Sequence, residues 1–505
     1  MSQIFNPYLP LYEYVPDGEP HRFDGRVYVY GSHDQAQGTK YCQGHYVVWS
    51  APEDDLTQWR YEGVSYRRTQ DPSNANDEMQ LWAPDVTRGP DGRYYLYYCF
   101  SFYPEIGVAV SDAPAGPFEF YGHVKYPAHI EGGKTLNDFM PFDPAVLTDE
   151  DGRVYLYYGF ATKESQGPAM PPPDPAKMSP EERAKFEEMR KRFANRPRMV
   201  LSEGAMIAEL EPDMLTLKEV PHVGVPGLKL AEGTPFEGHG FFEASSIRRV
   251  GQKYYFVYSS QKSHELCYAV SDRPDGDFVY GGTIVSNGDL GLNGRTTPVY
   301  TVGNNHGGMV EANGAWYIFY HRQTNGTEFS RQGCAERIEI RPDGGIAQVE
   351  ITSCGLNGGP LEAAGTYPAA ICCHLTSPTT SARINYQDPV MKAQARVTED
   401  ASDAPLEERV QYITAIADGV KVGYKYFDFH GAAALTLTLR GSFRGTLTVA
   451  DNETMAQPLV SQPLDVASDS WTELTVQLPA QEGAHALYLA FAGEGTLDLR
   501  QLRFA

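Results

Sequence analysis

The segment that organises this 505-residue chain is FFEASSIRRVGQKYYFVYSSQ, residues 241–261. Glu243 stands just ahead of a hairpin pattern in which Gly251 marks the turn and KYYFVY follows it. Alternating aromatic and β-branched residues after a glycine turn are typical of the second strand of a β-hairpin. The segment therefore predicts a carboxylate held beside a hairpin.

The same hairpin pattern occurs five times in the first two thirds of the chain. The copies read FDGRVYVYGSHD from Phe23, PDGRYYLYYCFSF from Pro90, EDGRVYLYYGF from Glu150, VGQKYYFVYSSQ from Val250 and ANGAWYIFYHRQ from Ala312. Their marker tyrosines are 67, 60, 100 and 62 residues apart, and the long step contains an insertion at about 161–199. Without that insertion the period is near 60 residues. Copies of a four-stranded unit at fixed spacing are typical of a propeller, so five copies predict five blades.

The pattern of the chain also predicts its division into domains. The insertion contains SPEERAKFEEMRKRF, which is predicted to be a short helix capped by Ser179. We expect the propeller to occupy residues 1–360 and a linker to occupy 361–376. From 377 to 505, short alternating strands separated by Gly and Pro turns predict a jelly-roll-like β-sandwich. The predicted fold class is therefore all-β.

Composition excludes several classes of partner. The chain has 42 Lys+Arg against 65 Asp+Glu, a net charge of −23, which disfavours binding to nucleic acid or to an anionic membrane. It has seven cysteines with no zinc-ligand spacing, which predicts reduced, structural thiols. No apolar run reaches the length of a membrane span, and the first residues lack the pattern of a signal peptide. We therefore expect a cytoplasmic protein, with its oligomeric state left open.

Four acidic residues precede the repeated hairpins at similar distances. They are Asp17 in YVPDGEP, Asp85 in LWAPDV, Asp143 in PFDPAV and Glu243 in FFEASS. The innermost strands of a propeller face one channel, so these carboxylates are expected to converge. Mutual repulsion and desolvation would then raise the pKa of at least one of them. Glycoside hydrolysis uses such a pair, with one carboxyl protonated and the other ionised.

These motifs together resemble glycoside hydrolase family 43, whose members are five-bladed propellers that cleave glycosidic bonds with inversion. The matching pieces are NPYLP with PDGEP, LWAPDV, FDPAV with DEDGRVYLYYG, FFEASSIRR with YYFVYS, NNHGGMV, and YHRQ. They cover residues 6 to about 355 in the order and spacing of the family. The resemblance implies that Asp17 is the general base, that Glu243 is the general acid, and that Asp143 orients the acid and raises its pKa. Because Pro16-Asp17-Gly18-Glu19 departs from the usual Asp-Pro of the family, Glu19 is an alternative base.

The resemblance also implies residues that contact substrate. Trp82 is expected to form a subsite wall, with Phe142, His33 and Arg322 as further contacts. His306 in NNHGG matches the channel histidine that neighbours a calcium ion, so it is expected to contact substrate and to hold Ca²⁺ at most through water. We expect that no cofactor is required. Asp85 is expected to support the Trp82 loop, and His239 is a further candidate for the pocket.

The C-terminal region resembles carbohydrate-binding module family 6 through KYFDFHG, LTLRG, WTELTVQLP, HALYLAFAG and LDLRQLRFA. Tyr412, Tyr424 and Trp471 are candidate sugar contacts there, and a purely structural cap is the alternative. Overall, the resemblance implies an inverting, exo-acting β-D-xylosidase or α-L-arabinofuranosidase acting on oligosaccharides from plant polysaccharides. Three alternatives remain: a non-catalytic sugar-binding propeller, a glycosidase of the same fold acting on another sugar such as galactose, and a retaining enzyme of a related five-bladed family.

Overall fold

The computed structural model describes residues 3–164, 200–378, 393–400 and 404–505, together with a few single positions between 175 and 187. Most of the predicted insertion at 161–199, including most of its helix, lies outside these residues. Over the described ranges the secondary structure is almost entirely β-strand, which confirms the predicted all-β class. Within those same ranges, no helix is long and apolar enough to span a membrane.

Five antiparallel sheets follow one another along the first two thirds of the chain, and each is one blade of a propeller. The first two blades consist of β1 (Glu19–Phe23), β2 (Arg26–Tyr30), β3 (Tyr46–Pro52) and β4 (Arg60–Tyr66), then β5 (Leu81–Arg88), β6 (Tyr94–Phe100), β7 (Ile106–Ser111) and β8 (Glu119–His123). The third and fourth consist of β9 (Ala145–Thr148), β10 (Val154–Tyr158), β11 (Gly204–Leu210) and β12 (His222–Pro226), then β13 (Phe241–Val250), β14 (Lys253–Ser260), β15 (Glu265–Ser271) and β16 (Val279–Ser286). The fifth has three strands, β17 (Met309–Ala312), β18 (Ala315–Gln323) and β19 (Arg331–Ile338). The predicted number of blades is confirmed.

The repeated hairpins form the first two strands of each blade, so β2, β6, β10, β14 and β18 are the aromatic strands seen in the sequence. Their side chains fill the space between neighbouring blades. Tyr95 and Tyr97 of the second blade, for example, share a core with Leu156 and Tyr158 of the third. Every residue of β6 and β10 is buried, which explains why these strands are so rich in large apolar and aromatic residues.

The first strands of the five blades form a closed ring. Each contacts the first strand of the next blade, and β17 contacts β1. At this closure the N–H of Gly308 donates to the carbonyl oxygen of Gly18 at 3.3 Å. The fifth blade is completed by the N-terminal segment, where the Asn6 side chain makes two 3.0 Å hydrogen bonds to the main chain of Ala335 in β19. The ring therefore directs the starts of all five first strands toward one axis.

The C-terminal part is a nine-stranded sheet that curls on itself. Its strands are β20 (Leu361–Glu362), β21 (Gly365–Pro368), β22 (His374–Thr376), β23 (Arg396–Glu399), β24 (Gln411–Ile416), β25 (Lys421–His430), β26 (Ala434–Ala450), β27 (Val460–Gln477) and β28 (Glu482–Phe504). Strand β26 pairs with β27 on one edge and with β28 on the other, and β28 also pairs with β21, β24 and β25. This arrangement agrees with the predicted sandwich-like second fold.

Residues 361–376, predicted as a linker, form the short strands β20, β21 and β22. These strands pair with β25 and β28, so the C-terminal sheet begins before residue 377. Ile371 from this stretch, Tyr320 from the fifth blade and Tyr424 from β25 belong to one continuous hydrophobic core. The sequence of this stretch shows no clear alternation of apolar and polar residues, because its strands are only two to four residues long. All seven cysteines are buried and unpaired, as predicted.

Candidate active site

A cavity of about 360 Å³ lies at the end of the propeller where the first strands begin. Asp17, Asp143 and Glu243 all line it, and all three side chains are buried. They come from the first, third and fourth blades. The predicted convergence of these carboxylates is therefore present in the structure.

The backbone is distorted where it presents these acids. Asp17 and Asp143 have φ values of 57° and 47°, in the left-handed region that non-glycine residues rarely adopt. Glu243 lies in β13 between two register shifts, and Ala244 after it has a φ of 68°. A bulge re-aims the side chains of a strand, and strain of this kind is common at functional sites. The distortion turns the three carboxyls into the cavity instead of into the blade packing.

Asp17 is paired with a buried arginine. Nη1 of Arg331 donates to Oδ1 of Asp17 at 2.9 Å, and Nε of the same guanidinium donates to Asp34 at 2.8 Å. Burial alone would raise the pKa of Asp17, but the Arg331 charge outweighs it, so this pKa is lowered. Asp17 is therefore ionised at neutral and mildly acidic pH.

His321 holds the main chain of Asp17. Its Nε2 lies 2.8 Å from the carbonyl oxygen of Asn304, so the ring proton is on Nε2. Nδ1 is then free to accept a hydrogen bond from the Asp17 N–H at 3.3 Å. Burial lowers the pKa of His321, so the ring is neutral and keeps this tautomer.

Glu243 is in the opposite protonation state. Burial raises the pKa of Glu243 to about 8, and the negative charge of Asp143 adds to the effect. At neutral pH the Glu243 carboxyl therefore keeps its proton. The cavity brings together one ionised and one protonated carboxyl.

Asp143 and His306 form a charged pair beside Glu243. Oδ2 of Asp143 accepts a hydrogen bond from the Ala244 N–H at 3.0 Å and lies 3.5 Å from Nδ1 of His306. Burial raises the pKa of Asp143, and the contact with His306 opposes this rise. Burial would lower the pKa of His306, but Asp143 and Glu19 outweigh it and raise that pKa well above its ordinary value. The imidazolium thus lies between two carboxylates.

Glu19, the alternative base, does not line the cavity. Its Oε2 accepts hydrogen bonds from Arg248 at 2.8 Å and from Ser246 at 2.9 Å, deeper in the channel. Asp85 is also buried away from the cavity, bonded to His21 at 2.5 Å and to the N–H of Val146 at 2.8 Å. Asp85 therefore joins the second blade to the first and the third, and Glu19 joins the first blade to the fourth across the channel.

Two of the predicted substrate contacts, Trp82 and Phe142, line the cavity, with ring centroids 5.2 Å apart. They belong to a series of ring contacts, each 4.8–5.2 Å long, that ends beside Glu243. In order, the rings are Phe102, Trp82, Phe142, Phe160 and Phe242. One side of the cavity therefore has an aromatic wall.

The structure corrects two other expected contacts. Arg322 does not line the cavity: its guanidinium donates to the carbonyl oxygens of Ala370 at 2.8 Å and Cys372 at 3.1 Å, at the junction with the C-terminal sheet. Side chains alternate along β18, so His321 faces the channel side and its neighbour Arg322 faces away. His33 also lies outside the cavity lining, with Nδ1 3.0 Å from the carbonyl oxygen of His45. His239 is likewise outside, paired with Glu265 at 2.7 Å.

Several cavity residues were missed from the sequence. Arg331 and His321 contact Asp17, while Tyr41, Glu328 and Lys163 line the cavity. Tyr41 donates a 2.6 Å hydrogen bond to Glu328, and the Arg331 guanidinium lies over the Tyr41 ring. Arg331 is one of three charged residues in β19, RQGCAERI, so nothing in the local sequence distinguished it.

Two clusters among the described residues have the composition of a metal site, but each has a basic side chain beside it. Glu19, His21 and Asp85 lie close together, and Nη2 of Arg248 is 2.8 Å from Glu19 and 3.3 Å from His21. In the other cluster, Lys262 lies 3.7 Å from Glu265, which shares the cluster with His239 and Cys267.

The channel also holds a carboxylate oxygen, Oε1 of Glu19, beside the protonated His306. Nε2 of His306 and Oε1 of Glu19 are buried 3.6 Å apart, and neither has a hydrogen-bond partner among the described residues.

The aromatic candidates of the C-terminal sheet do not present open faces. Tyr424 is fully buried in the core. Trp471 lies beneath two guanidinium groups, those of Arg440 at 4.4 Å and Arg500 at 5.8 Å. Tyr412 contacts Trp471 edge-on at 5.6 Å.

An ionised carboxyl and a protonated carboxyl in one partly apolar cavity can carry out general acid–base chemistry on a neutral substrate. The aromatic wall can pack against the C–H face of a sugar ring. Comparison with known proteins places this chemistry in a family.

Residues 15–207 and 202–346 match the family Glycosyl hydrolases family 43. The chain is 46% identical over 503 residues to a xylosidase/arabinosidase from Thermoclostridium stercorarium, covering 99% of this chain and 98% of that protein. A xylosidase/arabinosidase from Bacteroides ovatus is 30% identical over 365 residues, covering 68% of this chain and 97% of that protein.

Among solved structures, the arabinoxylan arabinofuranohydrolase from Bacillus subtilis covers 99% of this chain and 97% of its own, with a TM-score of 0.50. At 20% identity it supports the shared fold alone. The GH43_1 enzyme from Xanthomonas citri has a TM-score of 0.50 at 26% identity, covering 71% of this chain and 96% of its own. Because the family match spans most of the propeller, including the positions of all three acids, the chain belongs to glycosyl hydrolase family 43 and is a glycoside hydrolase.

Proposed function

We propose that this glycoside hydrolase is an inverting, exo-acting enzyme that releases pentoses from short plant-polysaccharide fragments, as a β-D-xylosidase, an α-L-arabinofuranosidase or both. The observation that carries the proposal is the pairing of ionised Asp17 with protonated Glu243 in one cavity. The choice of pentose is supported by the full-length relative named xylosidase/arabinosidase. The seven unpaired thiols support the cytoplasmic location predicted from the sequence.

Asp17 is the general base in this proposal. Its carboxylate takes a proton from a water molecule as that water attacks the anomeric carbon of the sugar. Arg331 keeps Asp17 ionised, and His321 fixes its main chain. The negative charge needed to activate water is therefore present before substrate binds.

Glu243 is the general acid. It donates its proton to the glycosidic oxygen as the bond to the leaving group breaks, so the leaving sugar departs as a neutral alcohol. Asp143 contributes negative charge that holds this proton on Glu243, and its bond to the Ala244 N–H fixes the strand next to the acid. Trp82 and Phe142 contribute the apolar surface for the sugar ring.

A calcium ion in the channel is a further part of the proposal. Ca²⁺ prefers oxygen ligands and accepts water among them. Oε1 of Glu19, which has no hydrogen-bond partner among the described residues, would be a protein ligand, and His306, once deprotonated, would contact the ion only through a water molecule. When bound, the ion would supply positive charge near Asp143. Measuring whether CaCl₂ raises the melting temperature of the wild type, but not of Glu19→Gln, tests this assignment.

Hydrolysis of a panel of 4-nitrophenyl glycosides tests the proposed substrate. We expect β-D-xylopyranoside or α-L-arabinofuranoside to be cleaved and galactosides to be poor substrates. Glu243→Gln should lose most of its activity on alkyl pentosides and less on these aryl substrates, whose leaving group needs little protonation. NMR of the first product formed should show the inverted anomer. Early retention of configuration would exclude the proposed mechanism, and cleavage of a hexoside in preference to both pentosides would exclude the proposed substrate.

A further inference from the structure

A second cavity lies at the junction between the propeller and the C-terminal sheet. It measures about 660 Å³ and shares no lining residue with the catalytic cavity. The propeller contributes the loop from Asp289 to Thr297 and the following segment contributes Glu350. The sheet contributes Lys425 and Tyr426, the turn 451–453, and residues 484–488. The volume lies within the range of small-molecule sites.

Ion pairs across the junction hold the walls of this cavity in place. Arg295 of the propeller donates two hydrogen bonds to Glu453 of the sheet, at 2.9 and 2.6 Å. Lys425 of the sheet contacts Asp289 at 3.4 Å and Glu350 at 3.0 Å. Because these ion pairs connect the propeller segments to the C-terminal sheet, the cavity is formed without a ligand.

In the buried pair Lys425 and Asp289, not every donor and acceptor has a close hydrogen-bond partner among the described residues. Lys425 is 6% exposed and Asp289 is 1% exposed. An ammonium group has three donors, and in the described part of the chain Lys425 reaches only two acceptors. Among the described residues, Oδ2 of Asp289 has only the long 3.4 Å contact with that lysine. A donor and an acceptor are thus available side by side at the cavity.

A sugar diol matches this pair, because each hydroxyl both donates and accepts a hydrogen bond. One hydroxyl can accept from Lys425 while its neighbour donates to Asp289. The rings of Tyr426, His485 and Tyr488 also line the cavity and can pack on the C–H faces of a sugar. The lining has four carboxylates, Asp289, Glu350, Asp451 and Glu453, against two basic side chains, Lys425 and Arg295. This balance disfavours anionic ligands.

We propose that the junction cavity is a second saccharide site, which binds a short neutral oligosaccharide between the propeller and the C-terminal sheet. The site is built by both parts of the chain and does not use the covered aromatic residues of the sheet. The proposal goes beyond the hydrolytic function, since binding at the junction does not depend on which bond the catalytic cavity cleaves.

Calorimetric titration of the full chain carrying Glu243→Gln with xylotriose tests the proposal. We expect two classes of site, one catalytic and one at the junction. Two further substitutions are each added to this variant: Thr297→Trp, which fills the cavity from its exposed propeller wall, and His485→Ala. Each should weaken the affinity of the junction site for xylotriose by about tenfold or more. Thr446→Trp, an exposed position on β26 outside both cavities, is the matched control and should keep both sites.

In the background with Glu243 intact, Thr297→Trp and His485→Ala should leave kcat on an aryl pentoside unchanged, which separates this site from the catalytic one. A single class of site for xylotriose, arabinotriose and cellotriose alike would overturn the proposal. So would a second site that both variants leave intact, or a junction that binds Ca²⁺ but none of these sugars. If the wild type cleaves no pentoside yet binds sugar at the junction, the proposed hydrolytic function fails and this inference stands.

Discussion

Replacing Asp143 with asparagine tests how the proton is held on Glu243. The pKa of Glu243 rises from an ordinary value of 4.5 to about 8, with burial as the larger cause and the Asp143 charge as the second. This rise corresponds to about 5 kcal/mol of preference for the protonated acid. The amide removes the charge but keeps an oxygen that can accept the 3.0 Å hydrogen bond from the Ala244 N–H. Burial of Glu243 is therefore unchanged.

A neighbouring charge typically moves the pKa of a carboxyl by about 1–3 pH units, and we take about 1 here because burial dominates. The pKa of Glu243 should then fall to about 7, and its protonated fraction at pH 7 from about 90% to about 50%. The alkaline limb of kcat/KM against pH reports the acid of the free enzyme. In Asp143→Asn this limb should therefore move to lower pH by about one unit.

The matched control is Asp272→Asn, which removes an exposed carboxylate paired with Lys253 and outside the cavity. Its pH profile should coincide with that of the wild type. An alkaline limb that stays in place in Asp143→Asn would refute the role of the Asp143 charge. A limb that moves to higher pH would refute the sign of the effect.

Three further substitutions test other parts of the site and the fold. Glu243→Gln should lower kcat by about 10²–10⁴-fold for alkyl glycosides. The loss should be smaller for aryl glycosides with acidic leaving groups, because these leaving groups need little protonation. Equal losses for both kinds of substrate would contradict the role of Glu243 as the acid. Arg331→Met leaves Asp17 without its charged partner and should cost about 3–5 kcal/mol of unfolding free energy in urea at pH 7. The pKa of Asp17 is lowered in the folded state. The difference in unfolding free energy between wild type and variant should therefore be largest above the ordinary carboxyl pKa, and it should decrease as the pH falls below that value. Arg295→Gln removes a half-exposed ion pair with Glu453 and should cost about 1 kcal/mol or less, measured in the same way.

The sequence by itself determined the repeated hairpin, the number of blades and the positions of the three acids. Local patterns carry this information, because strand alternation and glycine turns repeat at a fixed period, and each acid lies at a similar distance before a repeated hairpin. The family resemblance of the sequence located Trp82 and Phe142, which lie next to two of the predicted acidic motifs. It also predicted that the thiols are unpaired.

Tertiary structure alone decided which charged groups meet. Arg331 reaches Asp17 across 314 positions of the chain, and a change of one residue along β18 separates His321, which faces the site, from Arg322, which does not. Glu19 lies outside the cavity lining, and its carboxylate accepts from Arg248 of another blade. Local sequence patterns do not encode such contacts, since they depend on how the propeller ring closes and where the C-terminal sheet packs against it.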